Sequence, residues 1–331
     1  MPALPILKLP ILVLMKILKT IDIEEVILVS LCSRKMFHLI KNFRDKTEPL
    51  DFTVDGEDFS LGDSNIIVGT PDYSFAVFVS PMAKKYKTAE SVNINGHLVP
   101  IDRAREEEHW NTYWNDEIQG IPAVYEHLSE LLEFKGPPEV TVNRNTLWLL
   151  SYIEKRQGDN YHLVIGDISE EVCHFILKNY HPKVVRAWLL KDNFPIAQYL
   201  NSIESLSGLW RLSITLNDLL NMNCVELNLI GNHFTVSEME RILQHWAIGG
   251  FKRLKYLCLC VRDFNMEDVL RELNHTRMTE KREYKCNTAP RTTFSDRLIS
   301  RNDGVVTSFQ CDQPFGVVHF GVWPDSEGNE Y

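Results

Sequence analysis

The chain of 331 residues is long enough for two or three domains, because a single hydrophobic core rarely grows past about 250–300 residues. Its 44% hydrophobic and 24% charged residues exclude the disordered and fibrous classes, so a packed core is expected. A formal net charge of −10 argues against nucleic acid as the main partner, since phosphate binding draws on a surplus of Lys and Arg.

The first predicted elements lie in a head of opposite charge. Residues 1–46 carry eight Lys/Arg against four Asp/Glu, a net +4, which leaves 27 against 41, a net −14, for residues 47–331. The stretch Leu4 to Met15 is as apolar as a secretory signal, but Lys8, Pro10 and Lys16 interrupt it. No small-residue cleavage site follows before Asp22, so an unprocessed, soluble chain without membrane attachment is expected. A spanning helix would need about 20 successive apolar residues. Pro10 suits the start of a helix, where the first amides have no partner anyway. Val13, Leu14, Ile17, Leu18 and Ile21 then recur at helical spacing, with Lys16, Lys19 and Thr20 between them. Asp22 is placed to cap a second helix with Glu24 and Glu25 in its first turn, and Ser33 to cap a third containing Met36, Phe37, Leu39 and Ile40. Three short helices bury too little to stand alone and are expected to lean on another element.

The spacing Leu9-Pro10-x-x-Val13-Leu14-x-x-Ile17-Leu18, followed by Ile21, Glu24-Glu25 and Val29-x-x-Cys32-Ser33-Arg34, resembles an F-box. The resemblance implies that these helices dock a Skp-type adaptor and, through it, a cullin ubiquitin ligase. It implies Leu9, Pro10, Val13, Leu14, Ile17 and Ile23 as adaptor contacts. Leu12 stands where an acidic residue is common in that family, and Met36-Phe37 replaces its usual basic-tryptophan ending.

Between Leu50 and Leu150, alternating apolar residues punctuated by Asp55-Gly56, Gly62-Asp63 and Asn95-Gly96 predict antiparallel strands, with a tight hairpin at Asn95-Gly96. Residues 113–134 read as a helix ended by Gly136-Pro137-Pro138. The rhythm then changes. "LWRLSITLN", "CVELNLIGN" and "LKYLCLCVR" align Leu212/Ile214, Leu227/Leu229 and Leu257/Leu259 in one pair of columns, and Leu163/Ile165 and Ala187/Leu189 fit more loosely. Asn217 and Asn232 close two of these units as in a degenerate leucine-rich repeat. Asp167-x-x-Glu170 and Ser237-x-x-Glu240 are capping-box patterns ahead of intervening helices. The schedule predicts a parallel sheet backed by helices on one face, either a solenoid or an ordinary α/β sheet.

Strand alternation adds a candidate surface. If Leu212 and Ile214 face the helices, then Arg186, Trp188, Arg211, Glu226, Asn228 and Tyr256 share the opposite face. A row with a Trp, a Tyr and two Arg has the composition of a target-binding hot spot if it is exposed, and of ordinary core if other strands cover it.

Beyond Asn274, Asp303-Gly304 between two alternating runs predicts a hairpin, and "FGVVHFGVWP" predicts a further strand. The turn Arg301-Asn302-Asp303-Gly304, together with the order of the body, resembles the F-box-associated domain of nematode F-box proteins. The expected organisation is an F-box over residues 1–46, a mixed hairpin and helix region over 47–150, and an F-box-associated, repeat-like region over 151–331. The fold class is α+β grading into α/β.

No phosphate-binding loop, nucleophile elbow or zinc-protease motif occurs. Cys173 and His174 are helical neighbours and so point about 100° apart, a poor arrangement for a nucleophile and its base. Cys258 and Cys260 share a strand face but lack a His pair at zinc spacing. Glu106-Glu107-Glu108 before His109 lacks a second His and reads as a solvated run. Seven scattered cysteines without a C-x-x-C pair suit a reducing cytoplasmic or nuclear compartment. No cofactor, metal or catalytic residue is expected. The expectation is the substrate-recognition subunit of a Skp–cullin–F-box ubiquitin ligase bound to an unknown target protein; the alternative is a non-enzymatic, leucine-rich-repeat-like scaffold or binding protein.

Overall fold

The computed structural model describes residues 8–43, 50–56, 63–70, 73–86, 89–103, 109–132, 134, 136–166, 168–187, 190, 194–209, 212–289, 292–301, 303–312 and 315–323. The chain divides into two compact units, Met1–Tyr152 and Ile153–Tyr331.

The first unit opens with α1 (Ile11–Leu18), α2 (Ile23–Cys32) and α3 (Arg34–Phe43). It continues through β1 (Asp51–Asp55), β2 (Ser64–Thr70), β3 (Tyr73–Pro81), β4 (Glu90–Ile94), β5 (His97–Arg103), β6 (His109–Trp114), α4 (Glu117–Leu132) and β7 (Glu139–Val142), and α5 (Trp148–Gln157) follows. The three predicted helices form as expected, with Pro10 and Asp22 at the caps and the Ser33 hydroxyl accepting from the Met36 amide at 3.2 Å. The strands run in the order β7-β1-β2-β3-β6-β5-β4. Pairing is antiparallel, as predicted, except that β1 pairs with β7 and β3 with β6 in parallel. The Asn95-Gly96 hairpin forms: both residues have positive φ, 48° and 91°, which Asn and Gly adopt at least cost.

The helix expected over 113–134 is shorter. Tyr113 and Trp114 complete β6 beside Ser80 and Pro81, and the Asp116 carboxylate then caps α4 by accepting from the Ile118 amide at 3.0 Å. On α4, Ile121, Val124, Tyr125, Leu128, Leu131 and Leu132 are buried at helical spacing. They cover β2, β3 and β6, and Gly120 lets the helix approach so closely that a Cβ there would strike Val79 and Trp114.

The second unit contains β8 (His162–Ile165), α6 (Glu170–Asn179), β9 (Val184–Ala187), β10 (Ser205–Gly208), α7 (Leu216–Leu220), β11 (Glu226–Phe234), α8 (Val236–Ala247), β12 (Tyr256–Val261) and α9 (Met266–Leu270). It ends with β13 (His275–Arg277), β14 (Arg282–Tyr284), β15 (Thr292–Phe294), β16 (Arg297–Ser300), β17 (Val306–Asp312) and β18 (Val317–Trp323). Strands β8 to β12 are parallel neighbours in chain order, and β18, β17, β16 and β13 extend the sheet antiparallel from β12. The protein is thus an α+β fold with mixed sheet pairing. Leu163, Val185, Leu206, Leu227, Leu257 and Phe320 stand opposite one another across six strands, all of them buried. The Asp303-Gly304 hairpin and the strand in "FGVVHFGVWP" are also present.

Two assignments in this unit change. The described residues of "LWRLSITLN" form no strand: β10 lies earlier, in "SLSG", so Leu206 rather than Leu212 occupies the column with Leu227 and Leu257. The Asn232 side chain holds Leu212 outside the ladder, accepting from its N–H at 2.9 Å and donating to its C=O at 2.7 Å. Thr215 and Asp218 then form a reciprocal capping box that commits the next residues to α7. The helix caps also move. Ser169 caps α6, Asp167 lying outside the described residues, and Thr235 with Glu238 caps α8 in place of Ser237 with Glu240. Starting α8 directly after β11 places Met239, Ile242, Leu243 and Trp246 on one buried face.

Candidate docking surfaces

The three N-terminal helices share their work unequally. Leu14 and Leu18 of α1, Val26 and Ile27 of α2, and Met36 and Ile40 of α3 are buried. Polar contacts tie α2 and α3 to the rest of their unit. The Glu24 carboxylate accepts from Trp110 Nε1 at 3.1 Å and from Arg103 Nε at 2.9 Å. Ser30 Oγ and His127 Nε2 are 2.9 Å apart, the Phe37 ring lies 5.1 Å from that imidazole, and Lys41 Nζ reaches Glu130 at 2.8 Å. Burial on α4 pushes the His127 pKa down from 6.5 to about 4, against the pull of Glu130.

α1 is left with an uncovered apolar side. Ile11 is 46% exposed, Leu12 72% and Val13 43%, with Pro10 exposed ahead of them and Leu28 of α2 at 38%. Of the sequence-derived adaptor contacts, Pro10 and Val13 belong to this side, and Leu9, Ile17 and Ile23 are half-buried. Leu14 does not: it is 3% exposed and packs inside the three-helix unit. Ile11, Leu12 and Leu28 were not singled out, although successive residues 100° apart on a helix cannot all face one core, which marks the run Ile11-Leu12-Val13.

The second expected surface is covered. Alternation correctly sets Glu226, Asn228 and Tyr256 opposite the Leu227 row, but these side chains are 3%, 4% and 0% exposed. The segment from β14 to β15 lies over them. The Glu226 carboxylate accepts from the Asn287 N–H at 2.8 Å, Asn287 Nδ2 at 2.8 Å and the Thr288 N–H at 2.9 Å. Asn228 Nδ2 donates to the Thr288 carbonyl at 3.0 Å, and the Tyr256 hydroxyl lies 3.2 Å from Thr292 Oγ1 and 2.8 Å from His319 Nδ1. Tyr284, Phe294 and Trp323 close with Tyr256 and Cys258 into one aromatic cluster. These three polar positions are therefore core, because the turn between β14 and β15 needs polar partners for its buried backbone groups. Burial raises the Glu226 pKa, although the donors from Asn287 and Thr288 oppose the shift. Arg186 is half-buried, and Trp188 and Arg211 lie outside the described residues.

The cysteines and histidines singled out by sequence do not converge on a reactive centre. Cys173 is buried, its thiol pushed up to about 12, whereas the His174 imidazole turns to the Tyr199 hydroxyl at 2.7 Å. Cys258 is wholly buried, and the Cys260 thiol donates to the Ile230 carbonyl. Glu106 to Glu108 lie outside the described residues, among which no group of three or more His, Cys, Asp or Glu is arranged to hold a metal ion. No helix among the described residues is long and apolar enough to cross a membrane.

Comparison with protein families gives two matches. Residues 6–48, which contain α1 to α3, match the F-box domain, and residues 196–259, which run from before β10 into β12, match an F-box-associated region. No curated protein and no solved structure matches the chain.

Proposed function

We propose that the chain, an F-box protein with an F-box-associated region, is the substrate-recognition subunit of a Skp–cullin–F-box ubiquitin ligase. In this reading α1 presents the adaptor contact and the C-terminal unit holds a target protein. The observation that carries the proposal is the uncovered run Ile11-Leu12-Val13 on a helix whose neighbours α2 and α3 are turned into their own unit. Apolar area left in water forgoes about 25 cal/mol per Å², and contiguous patches of this kind mark interaction surfaces. Pro10 and the half-buried Leu9, Ile17 and Ile23 would flank the contact. The chain itself performs no bond chemistry in this role. It raises the effective concentration of a target lysine near a charged conjugating enzyme, working in the cytoplasm or nucleus.

Co-purification with a Skp-type adaptor tests the proposal. The parent chain should recover adaptor, and Leu12→Asp with Val13→Asp should lose it while melting normally. Adaptor recovered undiminished by that double variant, or not recovered by the parent, would overturn the assignment.

A further inference from the structure

The second unit contains an open cleft of about 870 Å³ beside the turn that leads into β12 and the hairpin between β16 and β17. Trp246, Phe251 and Trp323 are among its lining residues; they are 1%, 8% and 2% exposed, so the cleft opens on a well-packed core. Lys252, Arg253, Lys255 and Arg301 also line it, with Glu204 and Asp303 as the acidic residues. Asp303 is already engaged: Arg301 donates to its two oxygens from Nε at 2.7 Å and Nη2 at 2.6 Å, and the guanidinium lies over the Trp246 ring, 5.4 Å from its centre. The cleft's lining residues thus carry four cationic side chains against two carboxylates, a net of +2. The unit as a whole has 20 Lys/Arg against 23 Asp/Glu, a net −3, so the cleft reverses the sign of its surroundings.

The turn that carries these charges is held in an unfavourable conformation. Phe251 has φ of 52°, a left-handed backbone that a bulky side chain rarely adopts. Its ring meets the His245 ring edge-on at 4.7 Å, and a Cβ at Gly250 would collide with that imidazole. Lys252 and Arg253 follow this turn directly, both exposed and both lining the cleft.

We propose that this cleft binds an acidic, extended segment of the target protein, its carboxylates toward the exposed Lys252 and Arg253 and an apolar side chain toward the apolar part of the lining. The inference rests on the target-holding role given above to the C-terminal unit. Clustered cations above low-dielectric walls focus the field toward a negative partner, and aromatic residues with Arg are the side chains enriched at protein interfaces. Charge-assisted pairing with carboxylates supplies direction. Nucleic acid fits less well, because a handful of cations in a chain of net charge −10 offers few phosphate contacts.

Fluorescence anisotropy of a short, labelled Glu-rich peptide with a central Leu, titrated with the full chain at low salt, tests the proposal. Saturable binding is expected, weakened about tenfold or more by Lys252→Glu with Arg253→Glu and by replacing the peptide's Glu with Gln. If the charge-reversed chain fails to fold, the salt dependence of the parent chain decides: affinity must fall as salt rises. Absent binding, equal binding by a folded charge-reversed chain, or tighter binding of a single-stranded RNA would overturn the proposal. So would a gain in peptide affinity on removing residues 324–331, whose Asp325, Glu327 and Glu330 would then be the occupant. Adaptor recovery by the same charge-reversed chain is expected to be undiminished, and recovery by neither it nor the parent would sink the ligase role while leaving the peptide result interpretable.

Discussion

Two surfaces that sequence alone nominates for docking have opposite fates. On α1 the nominated Val13 is apolar and uncovered, together with its neighbours Ile11 and Leu12; on β11 and β12, Glu226, Asn228 and Tyr256 are polar or amphipathic and covered. The usual correlation between polarity and exposure is inverted at both. The inversion has a different cause in each place. On α1, Leu14 and Leu18 turn one side of the helix inward, which leaves Ile11, Leu12 and Val13 on the exposed side. The β11–β12 face lies under a lid segment whose backbone needs hydrogen-bond partners, and Glu226 and Asn228 supply them.

The largest expected effect comes from breaking the covered surface. Phe294→Ala removes a fully buried ring packed edge-on against Tyr284, and should cost about 3–5 kcal/mol in urea denaturation. A loss under about 1 kcal/mol, the scale of surface substitutions and small adjustments, would mean that the lid contributes little and that the face opens readily. Next in size, Leu14→Ala should cost about 2–5 kcal/mol, whereas Leu12→Asp with Val13→Asp should leave the melting transition nearly unchanged. Equal destabilisation by both would erase the distinction between core and docking residues on α1.

A smaller effect concerns the contact of α4 with α2 and α3. His127 is neutral in the fold, with its pKa at about 4, and titrates near 6.5 when unfolded. Its contribution is complete above pH 6.5 and is lost as the pH falls from there toward 4, up to about 3 kcal/mol. His127→Gln should flatten that part of the pH dependence of unfolding, and an unaltered slope would remove His127 as the cause. The smallest effect is expected from Glu226→Gln, which keeps the shape but leaves a donor facing donors, at about 1–3 kcal/mol. Hydrogen exchange at Asn287 and Thr288 should rise with it. Unchanged exchange there would show that the lid is held by its aromatic ring cluster alone.

Local signals carried much of the fold. The three opening helices, the Asn95-Gly96 and Asp303-Gly304 hairpins and the Leu227/Leu257 register all follow from spacing, caps and turn residues that act within a few positions of themselves. β10 was illegible because Ser205, Ser207 and Gly208 lack the β-branched and aromatic character of strands, and they are buried only because sheet neighbours flank them. The α8 cap lies two residues before Ser237 because Thr-Val-Ser-Glu-Met-Glu contains two overlapping capping boxes, and only packing chooses between them.

By itself the sequence determined which side chains share a face, since periods of 3.6 and 2 are properties of the backbone. It set Leu14 and Leu18 together on α1, and Glu226, Asn228 and Tyr256 opposite Leu227. Only the tertiary structure decided what covers each face. Tyr284, Asn287 and Phe294 reach β11 and β12 from tens of residues away, and Lys252 and Arg301 meet at one cleft across a comparable separation. Burial depends on which distant segments fill the space above a surface, and no short-range pattern encodes that.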